Sequence, residues 1–139
     1  MAVLLLAACS QPGPLAEGPL EEGDTAAASP RRAVVEVAIG EWFIIPASEE
    51  PPSGDVQLVI RNVGGYAHEI EVIRKVAQYQ EYEVAEIEDI APGETATLTL
   101  QLSQGTYELA CTIVERQADG KVDDHYRLGM STFISVTDS

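Results

Sequence analysis

Short runs in which apolar residues alternate with polar ones recur along this chain, and no other regularity competes with them. Val34 to Ile39 opens the series, and "WFII" ends at Pro46 before the loop-like "ASEEPPSGD". Val56, Leu58 and Ile60 follow; then, past "NVGGY", His68, Ile70 and Val72 alternate with Glu69 and Glu71. "APGE" at 91–94 precedes Leu98, Leu100 and Leu102, and "SQG" precedes Tyr107, Leu109 and Cys111. Ser131 to Thr137 closes the chain. Successive side chains of a strand point to opposite faces, so each run has one core face and one solvent face. About seven or eight such strands, punctuated by Gly, Pro, Ser and Asn, predict an all-β, antiparallel β-sandwich. Only the stretch at 75–90, with "VAQYQEYEVAEIED", reads equally as irregular strand or short helix.

Before residue 33 the text changes. "MAVLLLAAC" is an apolar run far short of the ~20 residues that span a bilayer, and small residues stand just ahead of its cysteine. It reads as the end of a secretory signal. Leu6-Ala7-Ala8-Cys9 resembles the lipobox of bacterial lipoproteins, although no Lys or Arg precedes the apolar run. The resemblance implies a leader at 1–8 and lipidation at Cys9. Residues 10–32, rich in Pro, Gly, Ala, Ser and acids, then serve as a flexible tether. The expected plan is a leader at 1–8, lipidated Cys9 with a tether through 32, and one domain over 33–139. The product would sit in the cell envelope, exported and lipid-anchored on the periplasmic or extracellular face.

Charge excludes one class of partner. The chain carries 23 Asp+Glu against eight Lys+Arg, a net of −15. From Ala33 onward 19 acids face six bases, leaving −13, so the acidity belongs to the domain. Phosphate backbones would be repelled, and no nucleic acid is expected as ligand. A basic protein partner is compatible, as is a plain role in solubility. A lipidated Cys9 leaves Cys111 with no disulfide partner in the chain, and an exported free thiol needs either burial or a ligand.

Cys111, His125 and Met130 fall within "ACTIVERQADGKVDDHYRLGM". His68 shares parity with Ile70 and Val72 and begins its strand; Cys111 shares parity with Tyr107 and Leu109 and ends its own. If those strands run antiparallel, both residues point inward at one pole, and the loop carrying His125 and Met130 stays there. Singly, each is an ordinary core residue. Together, two imidazoles, a thiolate and a thioether form the ligand set of a mononuclear blue-copper site, which accepts both Cu(I) and Cu(II). Zinc competes, with Asp123 or Asp124 as a fourth ligand. One inward cysteine excludes a dinuclear copper site, and two histidines exclude a multicopper oxidase. No nucleophile-and-base pair stands out, and Gly64-Gly65 lacks the strand–helix context of a phosphate loop. The chain is not expected to be an enzyme.

Residues 34–139 resemble the cupredoxins. The similarity rests on "GDVQLVIRNVGGYAHEIEVI", "IAPGETATLTLQL", "GTYELAC" and "HYRLGMSTFISV". It implies a Greek-key sandwich with His68, Cys111 and His125 on one copper ion and Met130 as axial ligand. It also implies that the chain is a monomer carrying single electrons to a redox partner, with the His125 edge near the surface as port. Two features depart from plastocyanin-like and azurin-like members. Thirteen residues, "TIVERQADGKVDD", separate Cys111 from His125 where the family has a few; they are expected to shape access to the metal rather than bind it. Glu69 stands where many members have an Asn that braces the cysteine loop, and Asn62 is the candidate substitute. A copper-delivery module without redox cycling, or a metal-free interaction domain, are the alternative functions.

Overall fold

The computed structural model describes residues 31–138, so the leader at 1–8, Cys9 and nearly all of the tether lie outside the described residues. In chain order the strands are β1 (Ala33–Gly40), β2 (Phe43–Pro46), β3 (Gly54–Asn62), β4 (His68–Ala77), β5 (Gln80–Ile90), β6 (Thr95–Leu102), β7 (Gly105–Ala110), β8 (Val114–Arg116) and β9 (Val122–Asp124). A single helical turn, α1 (His125–Leu128), precedes β10 (Ser131–Val136).

Eight of these strands build two four-stranded sheets, ordered β2-β1-β3-β6 and β10-β7-β4-β5. The chain changes sheet between β3 and β4, β5 and β6, and β6 and β7, which interleaves the two layers in the manner of a Greek key. Pairing is antiparallel throughout the two sheets except between β1 and β3, which run parallel with Val35 opposite Leu58. The inward sets expected from alternation supply the core: Val35, Val37 and Ile39; Val56, Leu58 and Ile60; Ile70 and Val72; Tyr107 and Leu109; Ile134 and Val136. Burying each such side chain contributes about 1.5–3 kcal/mol, and the two apolar faces have nowhere else to go.

The ambiguous 75–90 stretch is a hairpin, with Gln78 and Tyr79 between β4 and β5. Its pattern is blurred for two reasons. β5 is an edge strand, exposed along most of its length. Register shifts near His68, Val72 and Lys75 also break the parity. Tyr79 sits at φ 68° and is 93% exposed. A ring there gains little from packing while its Cβ strains the left-handed backbone. Tyr79→Asn is therefore expected to raise stability by about 0.5–1 kcal/mol in a denaturant titration; a loss of stability would refute the strain.

The stretch read as loop between β2 and β3 has a structural task. Ser135 N–H donates to the Glu49 carbonyl at 2.7 Å, Thr137 N–H to Pro51 at 3.0 Å, and Ser53 N–H to Thr137 at 2.8 Å. The segment thus covers the open edge of β10 with a proline-bearing chain, which blocks further strand addition. β8 and β9 are the additional pair. They form a separate hairpin inside the Cys111–His125 interval, closed at Gly120.

Candidate metal centre

β4 and β7 pair antiparallel, with Val72 opposite Leu109 and Glu71 opposite Ala110. The start of β4 and the end of β7 therefore meet at one pole, and His68 and Cys111 arrive there together. α1 then carries His125 to the same place, and the chain turns into β10 through Met130. Asp124 caps this helical turn by accepting from Arg127 N–H at 3.0 Å. Gly129 ends it at φ 125°, where any Cβ would lie 3.0 Å from the Trp42 carbonyl oxygen. Only glycine combines that backbone with that clearance. Two backbone hydrogen bonds tie the parts: Met130 N–H to His125 O at 3.0 Å, and Cys111 N–H to Met130 O at 3.1 Å.

His68, Cys111, His125 and Met130 are each 0% exposed. His125 Nδ1 lies 3.2 Å from His68 Nδ1 and 3.4 Å from Cys111 Sγ. All three donors fall within 4.8 Å of one another. An ion ~2.0 Å from each nitrogen and ~2.3 Å from sulfur, at near-tetrahedral angles, would space its donors ~3.3–3.5 Å apart. The observed edges fit one ion of that size. Met130 is buried in the same apolar cluster as Cys111.

Electrostatics favour the neutral forms of the Cys111 thiol and the His125 imidazole. Burial pushes the Cys111 thiol up, and the charges of Glu69 and Glu71 add to this against backbone hydrogen bonds that oppose it. Burial and then the neighbouring His68 push His125 down, against Glu115, Asp123 and Glu69. Taking up a metal here must expel the thiol proton, because the thiolate is the ligand.

Glu41, at the β1–β2 turn, holds the far side of His68: its Oε1 lies 3.1 Å from His68 Nε2. The same carboxylate accepts from Gly65 N–H at 3.0 Å and Tyr66 N–H at 2.9 Å. Burial would raise this carboxyl, but those hydrogen bonds together hold it below the usual range. An anion at Nε2 favours the tautomer with its proton on Nε2, leaving the Nδ1 lone pair aimed at Cys111 and His125. Gly64 makes room, since a Cβ there would fall 2.6 Å from Glu41 Oε2. Nothing in the alternation signals Glu41, because its partner is 27 residues away.

Three expectations need correction. Asn62 does not brace the cysteine loop; its side chain bonds Tyr66 O, Ile90 O and Gly64 N–H, closing the β3–β4 connection. Glu69 is the brace, accepting from Thr112 N–H at 3.0 Å and Thr112 Oγ1 at 2.9 Å. A carboxylate cannot donate, so it holds the loop by accepting from it. Second, the His125 edge does not reach the surface: Nε2 is buried without a hydrogen-bond partner, and Glu115 Oε2 stands 4.0 Å off. The Trp42 ring covers that imidazole at 4.7 Å between centroids. Third, Asp123 and Asp124 stay outside the donor group among the described residues. Asp123 pairs with Lys121 at 2.6 Å and Gln117 at 3.0 Å, and Asp124 is the helix cap. The thirteen-residue insertion supplies no member of that group; its Ile113 carbonyl accepts from the backbone N–H of His125 at 2.9 Å.

No curated protein matches the chain in sequence. Solved structures do match in fold. Auracyanin B is 19% identical with a TM-score of 0.60, over 78% of this chain and 91% of that one. Auracyanin A, a "blue" copper protein from the green thermophilic photosynthetic bacterium Chloroflexus aurantiacus, is 17% identical with a TM-score of 0.57, over 77% and 100%. Reduced rusticyanin is 20% identical with a TM-score of 0.53, over 78% and 81%. At these identities the likeness speaks for the sandwich itself. A sequence model for the cupredoxin-like domain matches residues 1–122, most of the chain's length although it ends ahead of His125 and Met130. Sandwich, donor pole and sequence match agree, and the chain belongs to the cupredoxin-like domain family.

Proposed function

We propose that this chain is a mononuclear blue-copper protein that carries single electrons outside the cytoplasmic membrane, anchored through a lipid on Cys9. The convergence of His68 Nδ1, Cys111 Sγ and His125 Nδ1 in one sealed pocket carries the reading. These three residues would hold the ion, and the buried Met130 would offer a thioether as a further, weaker donor. Copper, when bound, supplies a one-electron couple that a mixed imidazole and thiolate set tolerates in both states. The chain's own work is to hold the donors still and dry. Glu41 fixes the His68 ring, Glu69 and Thr112 fix the turn after Cys111, and Gly129 lets α1 close onto Trp42. Complete burial also protects the thiol from oxidation. It argues against copper delivery, because no donor is exposed for a receiving protein to take over. The acidic surface would steer a basic redox partner, with association that weakens as salt rises.

Cu(II) added to the protein is expected to give an intense visible thiolate-to-copper band, followed by reversible one-electron voltammetry without copper loss. A colourless complex would sink the electron-carrier reading and favour zinc or storage. Glu41→Gln removes the charge at His68 Nε2 and keeps an acceptor for the loop N–H groups. Copper affinity is expected to fall about 10- to 100-fold in a chelator competition; an unchanged affinity would mean that Glu41 serves the loop alone.

A further inference from the structure

The electron needs a way out of a pocket whose second imidazole is roofed. We propose that Trp42, with Tyr66 stacked on it, is the electron port of this protein, replacing the histidine edge; the inference rests on the electron-carrier reading above. The Trp42 ring lies 4.7 Å from the His125 ring and 6.4 Å from the His68 ring, between centroids. On its other side Tyr66 lies 6.0 Å away with its plane only 14° off parallel. Trp42 is half-buried and Tyr66 is 44% exposed, so three rings lead from His125 to solvent.

Other exits are poorer. Electron transfer through a protein weakens steeply with distance and with every saturated or empty gap, whereas contiguous π systems couple well. Met130 is fully buried. The route through Thr112 ends on Glu69 and Glu71, saturated side chains whose carboxylates take up its hydroxyl. Glu115 stands 4.0 Å from His125 Nε2, without a hydrogen bond. The aromatic route is also held in place by hydrogen bonds: the N–H of Tyr66 donates to Glu41, the residue that braces His68, and the Tyr66 carbonyl accepts from Asn62. One turn therefore positions both a ligand and the port. In each exchange one electron passes to or from a one-electron redox partner, no bond forms or breaks and no proton moves. Trp42 mediates the passage and is not itself oxidised.

Trp42 is the chain's sole tryptophan, which gives a direct readout. Titrating the metal-free full chain with Cu(II) is expected to quench its fluorescence in step with site filling. Oxidation of the reduced, copper-loaded chain by tris(phenanthroline)cobalt(III) is then followed by stopped flow. Trp42→Leu is expected to slow it by an order of magnitude or more when rates are compared at equal driving force, with the visible band retained; the midpoint potential is measured alongside, because this change uncovers His125. Trp42→Phe should keep most of the rate, and Tyr66→Leu should lose part of it at the same potential. If Trp42→Leu disturbs the site, Tyr66→Leu, which touches no ligand, decides the matter. A wild-type rate in either leucine variant with an intact band overturns the port, and so does a fluorescence that ignores copper. Absence of the band in the wild type overturns the electron-carrier reading and the port with it; a band with unquenched Trp42 emission overturns the port alone.

Discussion

Cys111→Ser is expected to abolish the visible copper band and to weaken copper binding by orders of magnitude, while the protein remains folded. Serine preserves shape but offers a hydroxyl that does not ionise at neutral pH, so the soft anionic donor is lost. The remaining donors within the cluster are two imidazoles whose nitrogens stand 3.2 Å apart, a site open to harder ions but lacking the thiolate that produces the colour. The fold should survive because Cys111 acts in the core as a small apolar residue at the end of β7. Burying a hydroxyl in its place costs about 1–3 kcal/mol if it finds no partner. Cys111→Ala avoids that cost and separates the two effects. Absorption, chelator competition and thermal melting on both variants check the expectation. A persistent band in either would show that the thiolate is not the ligand.

Glu108→Ala is expected to be strongly destabilising for a polar residue, at about 3 kcal/mol. Glu108 lies on β7 with its side chain turned away from Tyr107 and Leu109, yet it is only 2% exposed. Its carboxylate takes Lys75 Nζ at 2.6 Å and the Tyr126 hydroxyl at 2.8 Å, and it also accepts from Ser131 Oγ. These partners come from β4, from α1 beside His125, and from β10 beside Met130. Removing one member of a buried ion pair costs about 3–5 kcal/mol. Lys75 also reaches Glu81, which places the loss at the lower end. The pH dependence has a definite sign. Burial alone would raise the Glu108 carboxyl, but hydrogen bonds from Lys75, Ser131 and Tyr126 outweigh it and hold the folded value below the ordinary one. Its contribution is thus complete above the unfolded value, near pH ~4.3, and is lost as pH falls through the folded value. Denaturation of wild type and Glu108→Gln across a pH series should show a constant gap at neutral pH that closes in acid. A gap that widens on acidification would refute the assignment.

Much of this molecule was legible before any coordinates. Seven of the eight strands of the two sheets, all but β5, follow from alternation, since a strand with one apolar face must bury it against another. His68 and Cys111 were readable as inward and polar-end residues because parity is a local property. The 75–90 hairpin was not, because an edge strand has solvent on most of its surface and its bulges reset the parity. The β8–β9 hairpin was equally silent: it is short and mostly exposed, so burial imposes no pattern on it.

The pattern of residues by itself determined the sandwich, the pole at which the four candidate ligands gather and the soft character of their donors. Residue type and strand periodicity are enough for that. Only the tertiary structure decided what surrounds the donors. Glu41 meets His68, Glu69 meets Thr112 43 residues away, Asn62 closes a different loop, and Trp42 seals the imidazole expected at the surface. Each of these contacts joins distant turns at one end of the sandwich, where side chains leave the regular pleat. No period governs them there, and only packing of the closed fold selects their partners.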